Sequence, residues 1–375
     1  MASPIEPSHV LPSRNPFRPA RAPSFRAART MAGLIQAQAV FHLARHSVAV
    51  KPTELPELGP GELLVKARCS AISPGTESLI FRGGMPEGWA MDEALASLGG
   101  EFRYPFKYGY ALVGEVVEVG AGEDRDWLGR RVFAFHPHQD YVAIRKQDCR
   151  RLPDDMPAER ALFLANLETA LNLVLDAAPL AGERAMVFGQ GVVGLLTTAI
   201  LSQFPLSELI TADPVPLRRE RSKDLGSALA IDPSRGRELA VLEECLFHGD
   251  NNGLDLAIEV SGQVDALNQA IALTGFDGRI VVGSWYGRNA GVADLGGHFH
   301  RRRIRLVSSQ VSTLNPLLGG RWTKERRLKL AFDWLERLLP EQLITHRFPL
   351  TDCQQAFELV GDKQAGALQV VFEYD

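Results

Sequence analysis

The chain is short of several things, and each shortage removes a class of protein. Its four cysteines, Cys69, Cys149, Cys245 and Cys353, are scattered, with no Cys-x-x-Cys pair. That spacing argues against a disulfide framework and suits a reducing cytosol. Long apolar runs are lacking too: the most hydrophobic stretch, residues 185–201, is broken by Gly189, Gln190, Gly191 and Gly194, so nothing reads as a membrane-spanning helix. Neither sign of charge dominates. A formal net charge of −4, with arginine runs no longer than Arg301-Arg302-Arg303, gives no basic field for nucleic acid. No internal repeat is visible.

What is present describes a soluble globular protein. At 375 residues the chain exceeds one ordinary core, so two domains are expected. The first 30 residues stand apart, with six prolines and five arginines against one acid, Glu6. They lack the apolar core of about 7–15 residues that a signal peptide needs. Residues 1–30 are therefore expected to be a disordered tail, and Met31, where the patterned chain begins, is a second candidate start.

After the turn signal Leu58-Gly59-Pro60-Gly61, residues 63–69 read as a strand. Further strands are expected over 111–119, 131–135 and 141–144, the last two flanking His136-Pro137-His138-Gln139-Asp140. Short strands with irregular links describe a small β-rich domain. Beyond Asp154 strand and helix alternate: helix 161–175, strand 184–188, helix 192–203, and strands 208–212, 254–260 and 279–283. That alternation is the grammar of a parallel α/β sheet. Residues 324–339 form an amphipathic helix with Leu328, Ala331, Phe332, Leu335 and Leu338 on one face.

Gly189-x-Gly191-x-x-Gly194 follows a strand, opens a helix and precedes Asp213, at the end of the next strand, by 19 residues. This is the dinucleotide fingerprint in its proper setting. The glycines allow a tight turn, close approach of a pyrophosphate and close helix–strand packing, and the helix N-terminus offers free N–H groups to phosphate. Asp213 can accept from both ribose hydroxyls and repels a 2′-phosphate, which favours NAD over NADP. Arg218 and Arg219 oppose that preference, since a nearby arginine can accommodate the extra phosphate.

The segments Ile72-Ser73-Pro74-Gly75-Thr76-Glu77 and Tyr108-Gly109-Tyr110-Ala111, the glycine loop, and the closing stretch from Phe348 carry a resemblance. From Met31 to Asp375 the chain resembles the medium-chain dehydrogenase/reductase superfamily. The resemblance implies an α/β fold: a GroES-like β-barrel catalytic domain (31–165 and 307–375) with a Rossmann domain (166–306) inserted. It also implies that Pro74 and Tyr110 stand where the family places a Cys and a His on catalytic zinc, with Ala165 and Asn166 near the third ligand position. The family's four-cysteine lobe has no counterpart. None of these residues is a usual zinc ligand, so a zinc-independent enzyme is expected. Within the superfamily the chain resembles bacteriochlorophyllide dehydrogenase and related zinc-type alcohol dehydrogenase homologues, which share the Ser-x-Gly-Thr-Glu turn and the Gly-Tyr pair. It departs from the former at Ala111, where a Glu is expected, so that substrate is not carried over. The resemblance further places Thr169 and Val193 at the nicotinamide carboxamide, Arg218 at the adenosine ribose or phosphate, and Thr76 in a proton relay toward the cofactor ribose. It implies a homodimer.

Hydride transfer needs the substrate carbon held against the cofactor and a group that manages charge on oxygen. Without zinc, Tyr110 and Thr76 are the candidates, Tyr110 as general acid or oxyanion donor, or simply as a phenol filling vacated space. His136 and His138 are possible proton donors or ordinary loop histidines. Glu77 and Glu168 are proton acceptors or supports. Ser284-Trp285-Tyr286-Gly287 follows a Rossmann strand at its carboxyl edge, where ligands bind; Ser284 is a candidate cofactor contact, Trp285 and Tyr286 a wall for a bulky substrate. Three functions compete: an NAD-linked dehydrogenase acting on a secondary alcohol or ketone, an enone or quinone reductase, and a cofactor-binding protein without turnover. Expected partners are a small-molecule substrate, neither nucleic acid nor membrane, and a second copy of the chain, in the cytoplasm.

Overall fold

A computed structural model describes residues 35–374 except 93–94, 123–124, 250–251 and 363–365. The tail expected over residues 1–30 lies outside the described residues. Strands β1 (Ile35–Ala44) and β2 (Ser47–Leu55) form an antiparallel hairpin. Then follow β3 (Glu62–Ile72), α1 (Thr76–Phe81), β4 (Leu112–Val119), β5 (Arg131–Ala134), β6 (Tyr141–Arg145) and β7 (Cys149–Arg151). The helical part comes next, with α2 (Ala158–Ala161), α3 (Leu164–Ala177), β8 (Arg184–Phe188), α4 (Val192–Leu201), β9 (Glu208–Ala212), α5 (Pro216–Asp224) and β10 (Leu229–Ile231). It continues through α6 (Gly236–Leu246), β11 (Leu254–Glu259), α7 (Val264–Leu273), β12 (Thr274–Val282) and β13 (Arg305–Ser308). The chain closes with α8 (Lys324–Leu338), β14 (Ile344–Pro349), α9 (Cys353–Gly361) and β15 (Gln369–Glu373).

Two main sheets result. One is parallel, in the order β10-β9-β8-β11-β12-β13. The order reverses between β8 and β11, and open α/β sheets bind ligands at the carboxyl ends of strands beside such a reversal. The other runs β14-β15-β3-β4-β5-β7, with β6 also on β3. There β15 pairs antiparallel with β3, Val370 opposite Ile72, so the end of the chain returns to the sheet that its first part built. This GroES-like sheet plus a Rossmann sheet is the architecture expected from the sequence.

Helix α3 joins the two halves. Leu164, Leu167, Leu171 and Val174 pack in one core that runs from Val113 and Phe133 of the first sheet to Val187, Ile258 and Val281 of the second. Each such side chain contributes roughly 1.5–3 kcal/mol by leaving water. The single helix expected over 161–175 is two, because the chain bends at Leu162 and Phe163, both fully buried. Helix α8 starts where Thr323 Oγ1 accepts from the Arg326 N–H and stops where Leu339 turns left-handed (φ +48°). No helix among the described residues is long and apolar enough to cross a membrane.

Candidate active site

A cleft of about 2220 Å³ lies between the two sheets. Its Rossmann side is formed by the loop after β8 and the ends of β9, β11 and β12; its other side by α1, residues 89–92, Leu95, Ser97, Leu98, Tyr108 and Tyr110.

The glycine loop divides its labour as the fingerprint requires. Gly189 is left-handed (φ +93°), and a Cβ there would lie 2.7 Å from Ser261 backbone. A Cβ on Gly194 would lie 1.9 Å from the Gly189 carbonyl, so helix and strand pack only without one. At Gly191 a Cβ would meet nothing within 4 Å. That residue opens onto the cleft at the N-terminus of α4, where no side chain caps the free N–H groups. This geometry fits a dinucleotide pyrophosphate.

Asp213, at the end of β9 and almost fully buried, ties the loop together. Its Oδ2 accepts from Gln190 N (2.8 Å) and its Oδ1 from Val215 N (2.9 Å). Arg218 lines the cleft 3.7 Å from that carboxylate. Arg219 instead donates to the Asp213 carbonyl and sits 3.6 Å from Asp232, so one arginine faces the cleft and the other is engaged behind it. Val193, Thr169 and Ser284 all line the cleft. The Thr169 hydroxyl donates to the Ala165 carbonyl, and Ser284 Oγ accepts from Gly262 N.

At the barrel end of the cleft Tyr110 donates to Ser73 Oγ at 2.5 Å, with Thr76 a second hydrogen-bond partner. Burial pushes the Tyr110 phenol up to about 12, and the Glu77 carboxylate adds to the rise against the two hydroxyl contacts. The phenol therefore keeps its proton at neutral pH and serves as a donor. Pro74, Ala165 and Asn166 line the cleft as well. Among the described residues no three His, Cys, Asp or Glu side chains gather as metal ligands do. A proline, a protonated phenol, an alanine and an amide do not fit a tetrahedral zinc. Around them Tyr108, Met91, Leu95, Phe135 and Trp285 supply an apolar, aromatic wall. Here too the halves meet, Arg288 N donating to the Gly84 carbonyl at 2.8 Å.

Three expected site residues are placed differently. His138 is fully buried, its ring edge-on to Phe372, with Nε2 on Glu77 Oε2 (2.8 Å) and Nδ1 on Ser70 Oγ (2.7 Å). Glu77, also fully buried, turns its other oxygen to Ser73 N (2.8 Å). Neither lines the cleft: the loop before β6 is held to β1 by Val40 N on the His138 carbonyl and to β3 by Ala67 N on the Asp140 carbonyl. His136 donates to the Pro137 carbonyl and does not line the cleft, and burial depresses it to about 4. At neutral pH its ring is therefore uncharged.

Two buried ions lay beyond sequence reasoning. Arg327 bridges α8 to α3 through Glu168 (2.8 Å) and Asn172, and holds the Val311 carbonyl (2.6 Å) at the cleft floor. Glu168 is thus an ion-pair partner within α3. The available signal was an arginine on the apolar stripe of α8, four residues before Ala331. Glu259, at the end of β11, accepts from Ser261 N, Ser261 Oγ and Tyr286 OH, which assigns Tyr286 a partner.

Residues 192–322 match the family model for a zinc-binding dehydrogenase. L-threonine 3-dehydrogenase of Pyrococcus furiosus is 28% identical over 350 residues, 85% of this chain and 93% of the relative. (R,R)-butanediol dehydrogenase of Bacillus subtilis is 27% identical over 65% of this chain and 76% of the relative. The chain belongs to the medium-chain, zinc-type dehydrogenase superfamily. Structures agree on the fold: 2R,3R-butanediol dehydrogenase from Bacillus subtilis superposes with a TM-score of 0.72 at 21% identity, over 90% of this chain and all of the other. This medium-chain dehydrogenase is an NAD(P)-dependent enzyme, with a glycine loop at one side of its cleft and the hydroxyls of Tyr110, Ser73 and Thr76 at the other.

Proposed function

We propose that this medium-chain dehydrogenase interconverts a secondary alcohol and a ketone with NAD(H) and without catalytic zinc. The observation that carries the reading is the cluster Tyr110–Ser73–Thr76 at the barrel end of the cleft, where Pro74, Ala165 and Asn166 offer no metal donor. Bound nicotinamide supplies the hydride chemistry. When substrate binds, the single Tyr110 phenol proton turns from Ser73 Oγ to the substrate oxygen and stabilises charge that grows there. Thr76 orients the phenol. Asp213 favours NAD by opposing a 2′-phosphate. The aromatic wall and the size of the cleft suit a medium-sized or bulky substrate, and the relatives named for butanediol and for threonine at carbon 3 point to a secondary alcohol.

The test is turnover of acetoin, cyclohexanone and acetophenone with NADH after exhaustive chelation, with bound metal measured by mass spectrometry. Activity independent of zinc is expected, and Tyr110→Phe is expected to lose about 10²–10³ in kcat with NADH affinity unchanged. Activity that tracks stoichiometric zinc, or a fully active Tyr110→Phe, would sink the reading. Faster turnover of 2-cyclohexenone than of every ketone would move the assignment to enone reduction, and cofactor binding with no turnover would move it to a binding protein.

A further inference from the structure

Glu77 and His138 lie on the far side of α1 from the cleft, yet one residue connects them to it. The Ser73 backbone N–H is donated to Glu77 Oε1, while the Ser73 hydroxyl accepts from Tyr110. Glu77 in turn is held by His138 Nε2, His138 Nδ1 contacts Ser70 Oγ, and Ser70 Oγ contacts the Tyr374 hydroxyl at 2.8 Å. Glu77, His138 and Ser70 are fully buried and Ser73 nearly so. They bring together α1, β3, the loop before β6 and the end of the chain after β15.

A carboxylate without access to water needs donors for both oxygens, and one that loses a partner is strongly destabilised. Here the two donors are His138 and the Ser73 amide, so the position of Ser73 is fixed from behind. A hydroxyl that accepts from a phenol at 2.5 Å fixes that phenol in its turn. Two imidazoles neighbour His138: His42, depressed to about 3 by burial and then by His138, and His136, depressed to about 4 mainly by burial; both remain neutral neighbours. Among the described residues, His138 is the one basic side chain within ion-pair distance of Glu77.

We infer that Glu77 and His138 are a buried positioning pair: by fixing Ser73 they hold the Tyr110 hydroxyl at the place from which its proton turns from Ser73 Oγ to the substrate oxygen, and they tie that place to Tyr374. Neither touches substrate; both act through Tyr110. The inference rests on the reading of Tyr110 as the oxygen-binding donor, and the two fail separately.

The experiment is a double-mutant cycle on the full chain, using the ketone among acetoin, cyclohexanone and acetophenone that is reduced fastest. Glu77→Gln is expected to lower kcat by about 10- to 100-fold, the scale of a small misplacement of a catalytic group, with little change in KM or in NADH affinity. In a Tyr110→Phe background the same substitution is expected to have almost no further effect. If Glu77→Gln fails to fold by circular dichroism, Ser73→Ala replaces it, since it leaves the Ser73 amide on Glu77 and removes only the acceptor of Tyr110. Equal losses in both backgrounds would overturn the positioning role while leaving Tyr110 in place. A Tyr110→Phe enzyme of full activity, or a parent with no turnover of any of the three ketones, would overturn the reading beneath it and the pair with it.

Discussion

His42 gives the protein a measurable weakness toward acid. The residue sits on β1, fully buried, its ring stacked on Phe106 at 5.1 Å and edge-on to Phe357 at 5.2 Å, and neither ring nitrogen has a partner. Burial depresses it to about 3, with His138 adding to the effect. The unfolded chain regains an ordinary histidine near 6.5, so between that value and 3 the unfolded state binds the extra proton and stability falls as pH falls. From pH 7.5 to pH 5 the loss from this one group is about 2 kcal/mol. His42→Phe keeps a ring between the two phenylalanines and removes the titration. At pH 7.5 the gain from deleting two unsatisfied nitrogens, roughly 1–3 kcal/mol, is offset by a similar cost of the larger ring, so neutral stability changes little. The decisive quantity is the slope. Thermal unfolding at the two pH values should show a fall in Tm that is smaller in the variant by about 2–3 °C. His136 and every other titrating group are common to both proteins and cancel. Equal falls in Tm would show that His42 is protonated within the fold, or reaches water, and the argument from burial would fail.

Three further outcomes follow from the same structure. Gly194→Ala should abolish NADH binding and lower Tm, because its Cβ meets the Gly189 carbonyl, whereas Gly191→Ala, with open space, should keep its Tm and lose cofactor affinity in fluorescence titration. Arg327→Met should cost about 3–5 kcal/mol by leaving Glu168 unpaired, read as a lower Tm, and adding Glu168→Gln should recover part of it. Asp213→Asn removes the charge that opposes a 2′-phosphate, and the ratio of NADPH to NADH affinity should rise about tenfold or more; an unchanged ratio would place the discrimination elsewhere.

Much of the Rossmann half was legible because its signals are local. A strand, three glycines and an acid at set spacing define one turn, and the elements β8 and β9 fall on residues 184–188 and 208–212 as expected. The face of α8 was legible too, since 3.6-residue periodicity shows in a single helix. The barrel end was less so. Tyr110 and Thr76 line the cleft together, but His138 and Glu77 had looked like cleft residues because sequence places them near Tyr110 without saying which side of the sheet they face. The partners that decide this, Ser70 and Tyr374, are 304 residues apart. Arg327 was hidden for the same reason: its meaning comes from Glu168, 159 residues earlier.

Part of the wall of the cleft, Met91, Leu95, Leu98 and Tyr108, comes from the segment between α1 and β4. Met85, Met91, Leu98, Phe102, Phe106 and Tyr108 all fall between α1 and β4, and together with Ile80 they form a cluster of their own, apart from the cores of both sheets. Fold and selectivity are therefore written in different places. A lineage of this protein can exchange that cassette, with its own small core, and acquire a new substrate while the glycine loop, the sheets and the hydroxyl cluster are inherited unchanged.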